Sequence, residues 1–404
     1  MRIAPFDPLR PPLEYVSEVS CPPYDVVNTQ EARKIGQKYS RSFIQVTRPE
    51  IALPDSADPH APEIYQLAAE KFARMQEEGN FMRHGRRSLF LYRQRMGNHS
   101  QTGLMCCCHV EEYESDIIKK HEKTRKDKED DRTHHTMAIR AHAGPVFLTF
   151  RDVASIDRMI LEGTSRQPLY DFTADDGVTH IVWEIADSEP WLSAFEHVPV
   201  AYVADGHHRS ASAARTAAEL RRNNPSHTGY EEYNWFLAVL FPAGALKIMP
   251  YNRVVKSLNG LSPAAFLDRV RQVFHVRDGQ PTPQGTGFVS MFLEQRWYSL
   301  ELPRPAKTHP VDSLDVSILQ EKLLAPELGI DDPRTSTDID FVGGIHGPER
   351  LEALVRSGKG KVAFSMAPVT IDQLMDIADA GGIMPPKSTW FEPKLRSGIL
   401  VHSF

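Results

Sequence analysis

The sequence predicts an α+β protein in two domains, and three observations predict it. At 404 residues the chain exceeds the size at which one hydrophobic core stops growing. Short apolar segments of strand character and amphipathic helical segments occur together along its whole length, with a hairpin among them. Apolar residues at 41% and charged residues at 25% match an ordinary globular chain. The boundary is expected near Lys256. Residues 1–255 then form the domain that holds the chemistry-bearing motifs, and 256–404 a C-terminal α/β domain.

In chain order, Tyr15 to Cys21 reads as a strand that runs into the rigid turn Pro22-Pro23-Tyr24-Asp25. Asn28 followed by Glu31 is a capping box for a helix to Tyr39. Ser42 to Thr47 reads as a strand, and Ile64 to Glu78 as an amphipathic helix. Leu89 to Met96 and Gln101 to Tyr113 form a hairpin around Gly97-Asn98-His99-Ser100. Lys119 to Arg132 is almost entirely charged. Pro145 to Phe150 and His180 to Ile185 are strands. Val198 to Ala204 is a short apolar strand that leads through Asp205-Gly206-His207-His208-Arg209 into an Ala-rich helix, Ser210 to Arg222. Trp235 to Phe241 and Leu246 to Val255 read as a buried strand pair. Beyond the boundary come helices at Ser262 to Val273 and Leu314 to Leu324 and a strand-to-glycine transition at Asp340 to Gly344. A helix at Pro348 to Ser357, a strand at Val362 to Met366 and a helix from Thr370 to Gly381-Gly382 follow. The tail, Met384 to Arg396, reads as loop dense in Pro, aromatic and basic residues.

Phosphate chemistry is legible at Asp205 to Arg209. A strand end followed by a helix start gathers free backbone N–H groups where the helix dipole favours an anion. Gly206 permits close backbone approach, Arg209 can make paired hydrogen bonds to phosphate, and His207 and His208 can donate hydrogen bonds or move a proton. Asp205 is a candidate magnesium ligand. A helix cap alone would explain Asp205, but not four functional groups in a row. The second candidate is His121-Glu122 with Lys123, at the start of the charged run. A solvated helix accounts for most of that run. Glu122, next to the apolar pair Ile117-Ile118, is placed to act as a tuned carboxylate. Lys387, Lys394 and Arg396 are open to two readings, phosphate contact from the second domain or a docking tail.

The formal charge of -6 argues against a protein that grips nucleic acid nonspecifically. No segment is apolar for long enough to span a bilayer, and the N-terminus lacks a signal-peptide pattern, so a cytoplasmic location without a membrane partner is expected. Cys106-Cys107-Cys108 reads as buried strand. Walker loops, dinucleotide glycine patterns, serine elbows and paired-histidine zinc helices are missing.

Met1 to Phe6, Cys21 to Val26, Lys120 to Thr124, Ala204 to Arg209 and Met384 to Ser397 together resemble a widespread bacterial family of full-length, mostly uncharacterised proteins. Through the central loop that family is similar to ADP-dependent free serine kinases, and more distantly to the ParB and sulfiredoxin superfamily. The resemblance implies a mixed-sheet, ParB/sulfiredoxin-like nucleotide-binding core with an N-terminal elaboration. It also implies ADP or ATP with magnesium as cofactors and a small-molecule substrate such as serine. Asp205 to Arg209 match the kinases' phosphate loop; Glu122 corresponds to their catalytic base, with His121 beside it, and Trp235 to an aromatic that shapes the serine pocket. His207 stands where sulfiredoxin needs a cysteine, which turns the reading away from thiol repair. A noncatalytic nucleotide- or phosphometabolite-binding regulator remains the alternative, and a homodimer stays open.

Overall fold

The computed structural model describes residues 1–303 and 309–404. Two compact units make up the chain: Met1–Leu246 with Pro393–Phe404, and Lys247–Glu392. Each contains helices and one main sheet, mixed in the first unit and antiparallel in the second. The expected boundary at residue 256 therefore moves to Leu246, and the last twelve residues return to the first unit instead of ending the second.

The first unit is built on a nine-stranded sheet. Its elements are β1 (Ile3–Ala4), α1 (Thr29–Lys38), α2 (Pro62–Glu77), β2 (Leu89–Met96), β3 (His99–His109), β4 (Ile118–Lys119), α3 (Lys126–Ile139) and β5 (Val146–Phe150). After these come β6 (Tyr170–Thr173), β7 (Thr179–Ile185), β8 (Ala201–Asp205), α4 (His207–Arg222) and β9 (Trp235–Pro242). The strand order is β4-β8-β5-β9-β3-β2-β7-β6, with β1 added on β3. Most neighbours are antiparallel, but β4 runs parallel to β8 and β5 parallel to β9.

Local chemistry explains many of these elements. Asn28 and Glu31 exchange reciprocal hydrogen bonds at the start of α1, the capping box in full. The hairpin closes at Gly97, whose φ of 56° suits a residue without Cβ. Along β9 every residue after Trp235 is buried, as expected for a central strand covered on both faces. Cys106, Cys107 and Cys108 are free thiols buried in β3.

Two expected strands are helical. Tyr15 to Cys21 forms a turn at Leu13–Tyr15 and a helical turn at Val16–Val19, and Ser42 to Thr47 forms the helical turn Ile44–Thr47. Short apolar runs carry no period that separates the two states. Packing decides them: Val19, Phe43, Ile44 and Val46 share one apolar cluster with Phe72, Met75 and Phe81. Leu246 to Val255 is also corrected. It divides at Pro250 into Ile248–Met249 and Tyr251–Val255, and both pieces pair within the second unit rather than with β9.

The second unit's sheet is antiparallel throughout. Its spatial order is His275–Asp278, Arg296–Glu301, Phe288–Leu293, Val362–Met366, Tyr251–Val255 and Ile339–Gly343. The expected helices are present at Pro263–Val273, Gly347–Arg356 and Ile371–Asp379, the last with a Thr370–Gln373 capping box. Among the described residues no helix is long and apolar enough to cross a membrane.

Candidate functional site

The site is built where β8 ends. Tyr202 and Val203 are fully buried, and the chain leaves the sheet at Asp205. Gly206 then turns it with φ 95° and ψ 30°, a conformation that costs an L side chain energy but glycine little. The helix α4 starts at His207, three residues before the expected Ser210. Its buried face includes Ala211, Ala213, Ala214 and Ala217, and these short side chains let the helix lie close against its neighbours. Its N-cap residue, Gly206, has no side chain with which to cap the first turn.

Strand pairing brings the second motif to the same place. Ile118 is level with Ala201 and Lys119 with Tyr202 in the parallel pair β4–β8. The residues that follow β4 therefore leave the sheet at the end where Asp205 leaves it. The His121 ring lies 4.6 Å from that of His207, nearly perpendicular to it. Four residues on, the Arg125 N–H donates to His208 Nε2 at 3.1 Å. Glu122 and Lys123 are thus held between two contacts with the Asp205–Arg209 loop; Glu122 is half-buried and Lys123 exposed.

Asp205 is shared between two cations. Arg209 Nη2 donates to Oδ2 at 2.7 Å, and Lys394 Nζ, from the returning tail, donates to Oδ1 at 3.1 Å. Burial opposes ionisation, but Lys394 and then Arg209 hold the Asp205 carboxyl well below the usual carboxylate range. Arg209 also donates through Nη1 to the Pro145 carbonyl. Its guanidinium crosses over Gly206, where a Cβ would stand 2.9 Å from Nε. Gly206 is therefore needed for space as well as for its backbone angle.

Two imidazoles complete the site. Neither ring nitrogen of His121 has a hydrogen-bond partner, nor does His207 Nε2, and both residues are buried. Burial pushes His121 down to about 4, against the pull of Asp205. Burial, and then the neighbouring His121, push His207 well below its ordinary value. Both are neutral at pH 7. These buried ring nitrogens without partners, beside the start of α4, are polar groups that a bound ligand would satisfy.

A cavity of about 40 Å³ lies beside Arg209, lined also by Tyr24, Arg132, Thr136, His142 and Ser397. It is large enough for ordered water or a small polar group. The Arg132 guanidinium sits 4.1 Å from the centre of the Tyr24 ring, so the Pro22-Pro23-Tyr24 turn meets the charged run at this cavity.

The donor set does not suit a resident metal. Both oxygens of Asp205 are engaged by cations, and among the described residues no group of three His, Cys, Asp or Glu side chains could hold an ion. Trp235 stands at the start of β9, where its ring contact is with His109 at 4.7 Å; none of the ring contacts described joins it to the loop. Tyr24 and Arg132 carry no role in the sequence reading, and Lys394 is left there between phosphate contact and a docking tail. The density of basic residues in the tail was the available signal for Lys394.

No curated protein matches the chain. Among solved structures it is similar to a conserved hypothetical protein from Pyrococcus furiosus, at 13% identity over 74% of this chain and 94% of that one, with a TM-score of 0.37. It is also similar to a free serine kinase in complex with AMP, at 11% identity over 74% of this chain and 91% of that one, with a TM-score of 0.38. SbnI with a C-terminal truncation, from Staphylococcus aureus, gives 12% identity over 74% and 87%, with a TM-score of 0.37. Superpositions this loose carry no argument about chemistry. The loop, the His121 turn and the sheet that bears them all fall within residues 3–317, the stretch matched by the family model described as "Protein of unknown function (DUF1015)", and the chain belongs to that family.

Proposed function

We propose that the protein is a nucleotide-dependent phosphotransferase acting on the hydroxyl of free L-serine or a similar small metabolite, with ADP or ATP as donor. The observation that carries this reading is the parallel pairing of β4 with β8, which sets the His121-Glu122 turn against the Asp205–Arg209 loop. A phosphate chain seated on the first turn of α4 meets the backbone N–H groups of the helix start and the helix dipole. Gly206, His207, His208 and Arg209 surround it, with Lys123 at the exposed rim. Asp205 orients the cations around it. The first unit's sheet then serves as an elaborated ParB/sulfiredoxin-like core.

In the reaction, the acceptor oxygen forms a bond to the terminal phosphorus as the bond from that phosphorus to the leaving phosphate oxygen breaks. Glu122 takes the hydroxyl proton. Arg209 and the backbone N–H groups stabilise the charge that spreads over the transferred phosphoryl oxygens. We place magnesium with the nucleotide, as part of the substrate, because both Asp205 oxygens are already held. Trp235 is proposed only as a wall of the wider acceptor region.

The test is direct. Purified protein, ADP or ATP, and L-serine should give phosphoserine, and Glu122→Gln should lower the rate by about 10²- to 10⁴-fold, the usual contribution of a general base. Nucleotide binding without turnover on any hydroxylated amino acid would make the protein a regulator instead.

A further inference from the structure

The tail that returns to the first unit supplies a group which the reading above does not use. Pro393–Phe404 lies beyond the stretch matched by the family model, yet it belongs to the unit that holds the loop. Its position is set by backbone anchors. Gln94 Nε2 donates to the Lys394 carbonyl at 2.8 Å, and Gln101 Nε2 donates to the Pro393 carbonyl at 3.3 Å and to Gln94 Oε1 at 3.0 Å. Three residues further on, Ser397 and Cys21 exchange backbone hydrogen bonds at 2.9 and 3.0 Å. Both glutamines are buried on adjacent strands of the sheet. Lys394 is thus fixed at the backbone on either side, and its side chain is 14% exposed.

The ion pair at Nζ is a shared one. Asp205 already has a partner in Arg209, one helical turn away in sequence, and Lys394 takes the second oxygen of the same carboxylate. Moreover, its bond to Asp205 places Lys394 just before the N-terminus of α4. The helix dipole disfavours a cation there and favours an anion, while buried ion pairs add little net stability. Four hydrogen bonds to the tail backbone hold the lysine at this point, beside a carboxylate that Arg209 already pairs and within reach of a phosphate on the helix start.

We propose that Lys394 is a phosphate-contacting cation of this site, delivered by the C-terminal tail and aimed by Asp205. The inference rests on the phosphate-binding part of the proposed function. It adds that the site is incomplete without residues from the far end of the chain, and that bound phosphate draws Nζ from Asp205 toward a phosphate oxygen. Lysine suits this role as a compact point charge on a flexible stem.

Calorimetry with ADP and with pyrophosphate, which has no base or sugar, tests the idea on the full-length protein. Loss of one charge-assisted hydrogen bond predicts that Lys394→Ala weakens pyrophosphate binding by about 10- to 100-fold. Lys394→Arg should keep most of the affinity, and ethylammonium added to the alanine variant should restore part of it, a rescue that a purely structural lysine would not give. Urea midpoints show whether each variant is folded, and Lys394→Gln replaces the alanine variant if that one is not. Wild-type protein that binds neither ligand overturns the phosphate site and this inference with it. If the wild type binds while a folded alanine or glutamine variant binds equally well, Lys394 is structural and only the present inference falls.

Discussion

At the residue scale, the loop shows how much depends on one backbone angle. Gly206 has φ 95° and lies under the Arg209 guanidinium. Gly206→Ala should cost roughly 1–2 kcal/mol in stability from the left-handed conformation alone and should weaken nucleotide binding through displacement of Arg209. Urea unfolding and calorimetry on the same variant measure the two effects. The imidazoles make a second prediction. Burial keeps His121 and His207 neutral in the free protein, and a bound phosphate would raise both toward protonation. ADP binding should therefore be accompanied by net proton uptake that grows as pH falls below the ordinary imidazole value of about 6.5. Titrations in buffers of different ionisation enthalpy detect the proton directly, and binding that releases protons would contradict the assignment.

At the element scale, the parallel pair β4–β8 is the decisive feature. Glu122 and Asp205 are far apart in the chain, and the two-residue pairing of Ile118 and Lys119 with Ala201 and Tyr202 brings their strand ends level. A second clamp is the bond from the Arg125 N–H to His208 Nε2. His208→Ala should leave the fold intact, at a cost of about 0.5–1.5 kcal/mol for the lost hydrogen bond. It should also loosen the Glu122 segment, which faster amide exchange over residues 120–126 would register. Unchanged exchange there would remove the clamp. The capping box of α1 was legible in the sequence because Asn28 and Glu31 are three residues apart. The strands expected at Tyr15 to Cys21 and Ser42 to Thr47 were not, since four or five apolar residues fit either state until Phe43 and Val46 find their cluster.

At the scale of the whole molecule, the first unit carries an unusual set of buried neutral histidines. Burial pushes His121 and His135 down to about 4, and His142 and His180 down to about 3. In the unfolded chain each returns to about 6.5. The folded pKa is the lower one, so the unfolded state binds more protons, and this share of stability is fully present above pH 6.5. It is lost as pH falls toward 4 and 3, at roughly 1.4 kcal/mol per pH unit for each histidine. In the second unit Asp315 works the other way, because burial pushes its carboxyl up to about 6. Four groups outweigh one, so the urea midpoint followed by tryptophan fluorescence should drop steeply between pH 6.5 and 4.5. A midpoint that holds steady across that range would mean that these rings are accessible to protons in the native state.

The strand-to-helix turn at Asp205 to Arg209, the α+β class and most of the elements whose signals are local were legible in the sequence alone. Asp205 to Arg209 could be read because a strand end, a glycine and a helix start all lie within ten residues, and each acts through its own backbone. Tertiary structure alone decided the rest. It placed His121 against His207, brought Lys394 back from the tail to Asp205, and moved the boundary from Lys256 to Leu246. The physical reason is that strand pairing and burial act between residues distant in the chain, where no periodicity or cap records which partner will be met. A carboxylate and the two cations that share it came from three levels of this hierarchy: Asp205 from a local motif, Arg209 from one helical turn, and Lys394 from the closure of the whole first unit.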